Sequence, residues 1–378
     1  MVNTVIFYAF VGWAAIQILF VLFVFRRFFE VPNFTTPLLM PRRKPVSIVI
    51  CAHNEEKNLS EHLKSVLDQN YSDAQGVPLF EVIVVNDCST DGTHNVIAGF
   101  QKQYANLREV VIAPEEHRNV VGKKYALSVG ITNAQNEWLL LTDTDCQPAS
   151  SEWISKMVAP LAEGKEIVAG YPAYREGQGL LNKYIRWETV HTFLQLSTFA
   201  IAGKPYLAVG RNLATLKTLY QKTITSAAWT EGPTGDDDLL VQLNATQNNF
   251  IALADPTLYT YSTPKNTYKT WKQQKQRHTS DGKNYDGKVQ LWLAMYGISQ
   301  AAVWVYSIYL FFTTYWALTL ILLAARCVVY WAFWASIATR LKERKLLFLL
   351  PFFDIFWMLS NFAFLPYILK KSRMNWDS

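Results

Sequence analysis

Charge is scarce in this 378-residue chain: Asp, Glu, Lys and Arg make up 17% of it, against about 25% in ordinary soluble domains. From Thr4 to Phe25 there is none. With hydrophobic residues at 50% and aromatics at 14%, the chain is too apolar to be disordered. Cysteine is scarce too. Cys51, Cys88, Cys146 and Cys327 form no CxxC pair and no Cys/His ligand spacing, which excludes the usual zinc modules and gives no disulfide framework. There is no internal repeat and no low-complexity linker. No Gly-rich phosphate loop follows Ile50, which argues against a nucleotidyltransferase. The net charge of +6 could suggest nucleic acid. Its cations, however, lie beside apolar runs, at Arg26, Arg27, Arg42, Arg43 and Lys44 and again from Arg340 to Lys345. Juxtamembrane charge explains them, and no nucleic-acid partner is expected.

What is present instead is apolar sequence at both ends. Residues 4–25 have the length a spanning helix needs, with the positive charges after them rather than before, unlike a secretory leader. The positive-inside rule then places the N-terminus outside and the chain after Arg26 in the cytosol. Further apolar segments lie near 291–312, 315–338 and 346–369. Arg326 interrupts the second, and Asp354 with two prolines interrupts the third, which predicts a re-entrant or interfacial segment there. If all three spanned, the Lys370–Arg373 tail would lie outside, against the charge rule. The expected divisions are an N-terminal transmembrane helix (1–26), a cytosolic domain (45–286) and C-terminal transmembrane or interfacial helices (290–370). The compact chain without eukaryotic targeting signals suggests a bacterial inner membrane.

Between the apolar ends the composition is that of an α/β domain. The short runs 47–51, 81–87, 110–114, 138–146 and 167–171 alternate with helical stretches, which predicts a largely parallel sheet covered on both faces. Ligands bind at the carboxyl ends of such strands, so the residues following each run matter most. Asp87, before a Ser/Thr/Asp/Gly turn, can accept hydrogen bonds from a ribose or base; the turn can equally be a helix cap. Asp143-Thr144-Asp145 can share a hard cation such as Mg²⁺ or Mn²⁺, or form a solvated turn before Pro148. Gly122-Lys123 opens a helical stretch that can face an anion, although a lysine in a first turn is commonplace. Asp236, Asp237 and Asp238 suit a helix N-terminus; crowded together, one can also rise in pKa toward a general base. Trp271 to His278 is a basic stretch that can anchor at an interface, or supply Arg277 to a phosphate and His278 or Trp271 as a flat face.

Taken in order, these five segments resemble glycosyltransferase family 2, in the membrane-anchored branch of cellulose, hyaluronan and ceramide-glucoside synthases. The resemblance runs from about Val46 to Gly282. It implies a GT-A (Rossmann-like) nucleotide-sugar domain with flanking transmembrane helices, a metal-dependent inverting transfer, and a UDP-linked nucleotide-sugar donor. The acceptor would be a lipid, a lipid-linked sugar or a polysaccharide. By resemblance, His53 and Glu55 lie near the nucleotide, Asp87 binds the base or ribose, and Lys123 lies by the phosphates. Asp143 and Asp145 form the DxD, with Asp145 the direct ligand of Mg²⁺ or Mn²⁺. The family's Thr-Glu-Asp appears as Thr234-Gly235-Asp236-Asp237-Asp238, where counting back from Leu239 puts Asp236 at the base position, with Asp237 as the alternative. Its Gln-x-x-Arg-Trp appears as Gln274-Lys275-Gln276-Arg277-His278, with His for Trp, which weakens any inference of long-chain synthesis. A non-catalytic membrane sensor of nucleotide-sugars is the rival, and it would have no use for the acidic cluster. The sequence leaves the oligomeric state open.

Overall fold

A run of seven apolar or small residues, buried at every position, forms β1 (Val46–Ala52). It sits at the centre of the sheet because only a central strand covered on both faces can bury such a run. In the computed structural model, which describes residues 1–32, 43–113, 122–230, 235–279, 282 and 285–368 without the side chains of His278 and Ile368, β1 pairs in parallel with β2 (Phe80–Asp87) and β4 (Trp138–Leu141). Outside β2 lies β3 (Leu107–Ile112). The strands β5 (Gln147–Pro148), β6 (Ile167–Gly170), β7 (Pro172–Tyr174), β8 (Leu213–Leu216), β9 (Phe250–Leu253) and β10 (Thr260–Ser262) complete two sheets, ordered β3-β2-β1-β4-β8-β6-β9 and β5-β10-β7. The sequence pattern did not anticipate β8. Four residues long, it runs antiparallel to both β4 and β6, so the sheet is mixed rather than wholly parallel.

The intervening helices are α2 (Glu56–Leu67), α3 (Thr93–Gln101), α4 (Lys123–Asn133), α5 (Trp153–Ala162), α6 (Gly179–Ile201), α7 (Lys217–Ile224), α8 (Asp236–Asn244) and α9 (Tyr268–Thr279). α4 lies close against the sheet: a Cβ on Gly130 would come within 2.6 Å of Val49 and 2.9 Å of Val85. That close approach fixes where the first residue of α4, Lys123, emerges.

Four segments are long and apolar enough to cross a membrane: Val2–Glu30, Gly287–Leu310, Trp316–Arg340 and Arg344–Tyr367. The first holds α1 (Val2–Leu19), and the others hold α10 (Gly287–Leu310), α11 (Trp316–Arg340) and α12 (Leu350–Ile368). At one end of the bundle, Tyr309 and Tyr315 donate to Asn3 and Thr4. At the other end, Arg27 donates to the Ile201 carbonyl, and Arg340 to the Phe28 and Val31 carbonyls. The basic residues flanking the segments therefore share the end that carries the α/β unit. Mid-bundle, the buried Arg326 and Asp354 pair with each other, and Gln17 and Gln300 complete the network. A buried charge so paired is tolerated where a lone one would cost several kcal/mol.

The course of α12 follows from its partners. Asp354 meets Gln300, and Trp357 meets Tyr296, one turn nearer the α/β end of α10. Ser360 then meets Tyr184 of α6, and Phe364 meets Trp271 of α9. Phe353, at the start of the helix, also meets Tyr184 and Trp187 of α6, so α12 lies beside the α/β unit from Phe353 to Phe364. A reporter fused to the C-terminus is expected on the same side as residues 45–286. Protection of that reporter on the opposite side, in a protease-accessibility assay, would show that α12 crosses.

Candidate active site

The site gathers at the carboxyl ends of β1, β2 and β4, beside the point where strand order reverses about β1. After β1, the backbone turns through Asn54 at a positive φ of 56° and, after β2, through Cys88 at 54°. The two turns interlock. The Asn54 carboxamide oxygen accepts the Thr90 N–H at 2.8 Å, the Ser89 hydroxyl accepts the Asn54 N–H at 3.0 Å, and His53 Nδ1 lies 2.5 Å from the Asp87 carbonyl oxygen. Asp91 does what a cap does, accepting the Thr93 N–H at 3.0 Å and the Glu56 N–H at 3.2 Å. Asp87 is buried at the tip of β2.

After β4 the two acids of the DxD differ. Asp143 is ion-paired with Lys123. Burial pushes its carboxyl up, but Lys123, and beyond it Arg211 and Arg277, outweigh burial and hold it below the usual carboxylate range. Burial likewise opposes the charge on Lys123, yet Asp143 and then Asp236 raise its pKa well above the ordinary value. Lys123 therefore stays a cation between the DxD and the acidic cluster. Asp145 has no such partner: burial first, then Asp143, raise its pKa, and its hydrogen bond is with the weak Cys146 thiol at 3.6 Å. Glu55 reaches the same place. Burial raises its pKa, Asn58 and Thr144 oppose, and the charges of Asp145 and Asp143 add to the rise. No group of three or more His, Cys, Asp and Glu side chains able to hold a metal occurs among the described residues. A hard dication held by one or two carboxylates plus substrate phosphates needs no such group. The under-compensated oxygen donors of Asp145 fit that role.

The three acids of α8 also have separate surroundings. Gly235 caps the helix at a positive φ of 77°, a conformation that glycine adopts without strain. Asp238 is buried and accepts the Tyr285 hydroxyl at 2.8 Å. Asp236 faces Lys123 electrostatically. Asp237 accepts the Gly210 N–H at 2.7 Å and the Asp238 N–H at 3.1 Å. Burial, and then the neighbouring Asp236, push its carboxyl up to about 7, with the Gly210 bond opposing. Thr234 lies outside the described residues.

From α9, Gln274 donates to the Tyr174 hydroxyl at 3.5 Å, and Arg277 acts on Asp143. Trp271 is no open platform. It is buried, edge-on to Tyr184 and Phe364, with its indole N–H donating to Glu188 at 3.1 Å. The side chain of His278 lies outside the described residues. The sequence pattern missed Gly210, Arg211 and Tyr174, which belong to a three-residue turn and a three-residue strand with no motif of their own.

The sequence profile of "Glycosyl transferase family 2" matches residues 47–221. The chain carries a glycosyl transferase family 2 domain. Among relatives of this domain, Glycosyltransferase AglE of Haloferax volcanii is 31% identical over 126 residues, 33% of this chain and 38% of that protein. The dolichyl-phosphate beta-glucosyltransferase ALG5D of Trichomonas vaginalis is 30% identical over 121 residues, 30% of this chain and 35% of that protein. The chain thus spans little more than a third of the length of either relative. In three dimensions it is similar to the mannosyltransferase PcManGT of Pyrobaculum calidifontis, solved with GDP-Man and Mn²⁺. The TM-score is 0.56 at 16% identity, covering 95% of this chain and 98% of that one. The family 2 domain has the GT-A-type fold, with the long apolar helices at the termini.

Proposed function

We propose that this chain transfers a sugar from a nucleotide-sugar, UDP-linked, to an acceptor hydroxyl at the cytosolic face of a bacterial inner membrane, with residues 45–286 as the catalytic domain. The observation that carries the proposal is the pair of unlike carboxylate sites joined by Lys123. One is the DxD at the end of β4, the other the acidic turn of α8, in which Asp237 has a carboxyl near neutrality. Such a divided pair suits a reaction that must neutralise a leaving diphosphate at one end and take a proton at the other.

Asp87, His53 and Glu55 surround the nucleotide, and Lys123, Arg277 and Gln274 lie toward its phosphates. Asp145, with Asp143 beside it, would hold Mg²⁺ or Mn²⁺, which supplies Lewis-acid neutralisation of the diphosphate when bound. Asp237 is favoured over Asp236 as the base, because burial and the neighbouring Asp236 raise its carboxyl to about 7 while the Gly210 N–H holds it in place. Asp237 takes the proton from the acceptor hydroxyl as its oxygen forms the bond to the anomeric carbon. The bond from that carbon to the diphosphate breaks on the opposite face, so configuration inverts. The packing of α6 and α12 against each other beside this unit, and the lipid-linked acceptor in the name of the Trichomonas relative, favour a lipid or lipid-linked acceptor over a polysaccharide.

The test is release of UDP from a panel of UDP-sugars by the purified protein in detergent with Mn²⁺ and native lipid extract. Turnover with one sugar is the expected result. Binding of UDP-sugars without any turnover would favour the sensor instead.

A further inference from the structure

Arg211 stands in a three-residue turn (Gly210–Asn212) directly before β8. Its carbonyl accepts the hydroxyls of Thr142 and Thr260, each at 3.1 Å, which ties the turn to the end of β4 and to β10. The guanidinium lies 4.1 Å over the Tyr174 ring. One of its terminal nitrogens donates to the Pro172 carbonyl at 3.1 Å and the other to the Ser262 hydroxyl. Tyr174 is in turn reached by Gln274 from α9. The cation is thus built into the short sheet beside the DxD and faces both Asp143 and Asp145 electrostatically. Among the described residues it forms no ion pair.

A guanidinium fixed by stacking and two hydrogen bonds gives up little freedom on meeting a further partner, and its planar fork matches phosphate oxygens. Lys123 already answers Asp143, so its charge is partly spent before any ligand enters. We infer that Arg211 is a phosphate-holding residue of the site, binding anionic oxygens between the DxD and the α9 motif. The inference rests on the donor assignment above for where that phosphate comes from: the donor's diphosphate, or the headgroup of an anionic acceptor lipid.

The test measures binding of Mg²⁺–pyrophosphate and of Mn²⁺–UDP by calorimetry, the KM for donor and for acceptor, and the melting temperature, in wild type, Arg211→Lys and Arg211→Met. Loss of a charged hydrogen-bond donor predicts pyrophosphate and UDP binding weaker by about 10- to 100-fold in Arg211→Met, with Arg211→Lys in between. The melting temperature should be little changed. If the phosphate belongs to the donor, donor KM rises and acceptor KM does not. If it belongs to a lipid, KM rises for anionic acceptors alone. Both binding constants and both KM values within twofold of wild type would overturn the inference. So would losses that merely track a falling melting temperature, the signature of a strand clamp. A wild type that binds pyrophosphate but no UDP-sugar would refute the donor assignment and leave Arg211 testable on pyrophosphate.

Discussion

Asn at position 237 is expected to lower turnover by about 10²–10⁴-fold, the usual worth of a general base, while UDP still binds. Asp237→Asn keeps the shape of the side chain and its acceptance of the Gly210 N–H through the amide oxygen, so the loss isolates the proton-taking role. In wild type the rate should fall as pH drops below about 7, since a carboxyl pushed to about 7 must be ionised to accept a proton. Stability moves the other way. A folded carboxyl raised above its unfolded value of 3.8 binds protons more tightly in the native state, so the wild type loses stability as pH rises from near 4 through 7. Asp237→Asn removes that term and the repulsion from Asp236, so at pH 8 it should melt no lower than wild type. An inactive variant that melts well below wild type would mean only that the fold had failed. If Asp236→Asn were silent and Asp237→Asn active, the base would lie at position 236.

The contrast between these two acids shows where sequence pattern stops. Motif order and counting bring Asp236, Asp237 and Asp238 to the start of one helix and leave two of them as candidates for the base. Their differences arise from elements far away in the chain: Tyr285 takes Asp238, Lys123 faces Asp236, and the Gly210 amide holds Asp237. The strands at 46–52 and 80–87 were legible because burial on both faces demands an unbroken apolar run. β8 was not, because four residues ahead of a lysine offer too short a pattern, and its antiparallel direction is set by pairing with β4 and β6. Arg211 was hidden for the same reason, since its neighbours Tyr174 and Ser262 come from strands of three residues each. For Trp271 the sequence left an interfacial anchor and a flat face both open, and its burial against Tyr184 and Phe364, almost a hundred residues away on either side, closes the second. In the apolar segments, Arg326 and Asp354 each read as an interruption, and only the fold shows that each answers the other.

The second large effect is expected at Asp145. Its carboxyl is raised by burial and by Asp143, and the opposing pull of Arg211 does not restore the ordinary value. A dication beside it would reverse that balance, so metal binding and proton loss should be linked. Asp145→Asn should weaken Mn²⁺ binding, measured by paramagnetic resonance on the protein alone, at least tenfold. With several kcal/mol of charge neutralisation at stake, turnover should fall by about 10³-fold. Chelation of the wild type should reproduce the loss, and added Mn²⁺ should restore it. Asp143→Asn should behave differently: it frees Lys123 from its ion pair, so Mn²⁺ binding should weaken less than in Asp145→Asn, while metal-free UDP binding tightens toward the released ammonium. Equal Mn²⁺ affinity in wild type and Asp145→Asn would sink the assignment of that carboxylate to the metal. A stronger metal defect in Asp143→Asn would move the ligand two residues back, to the acid that Lys123 now neutralises.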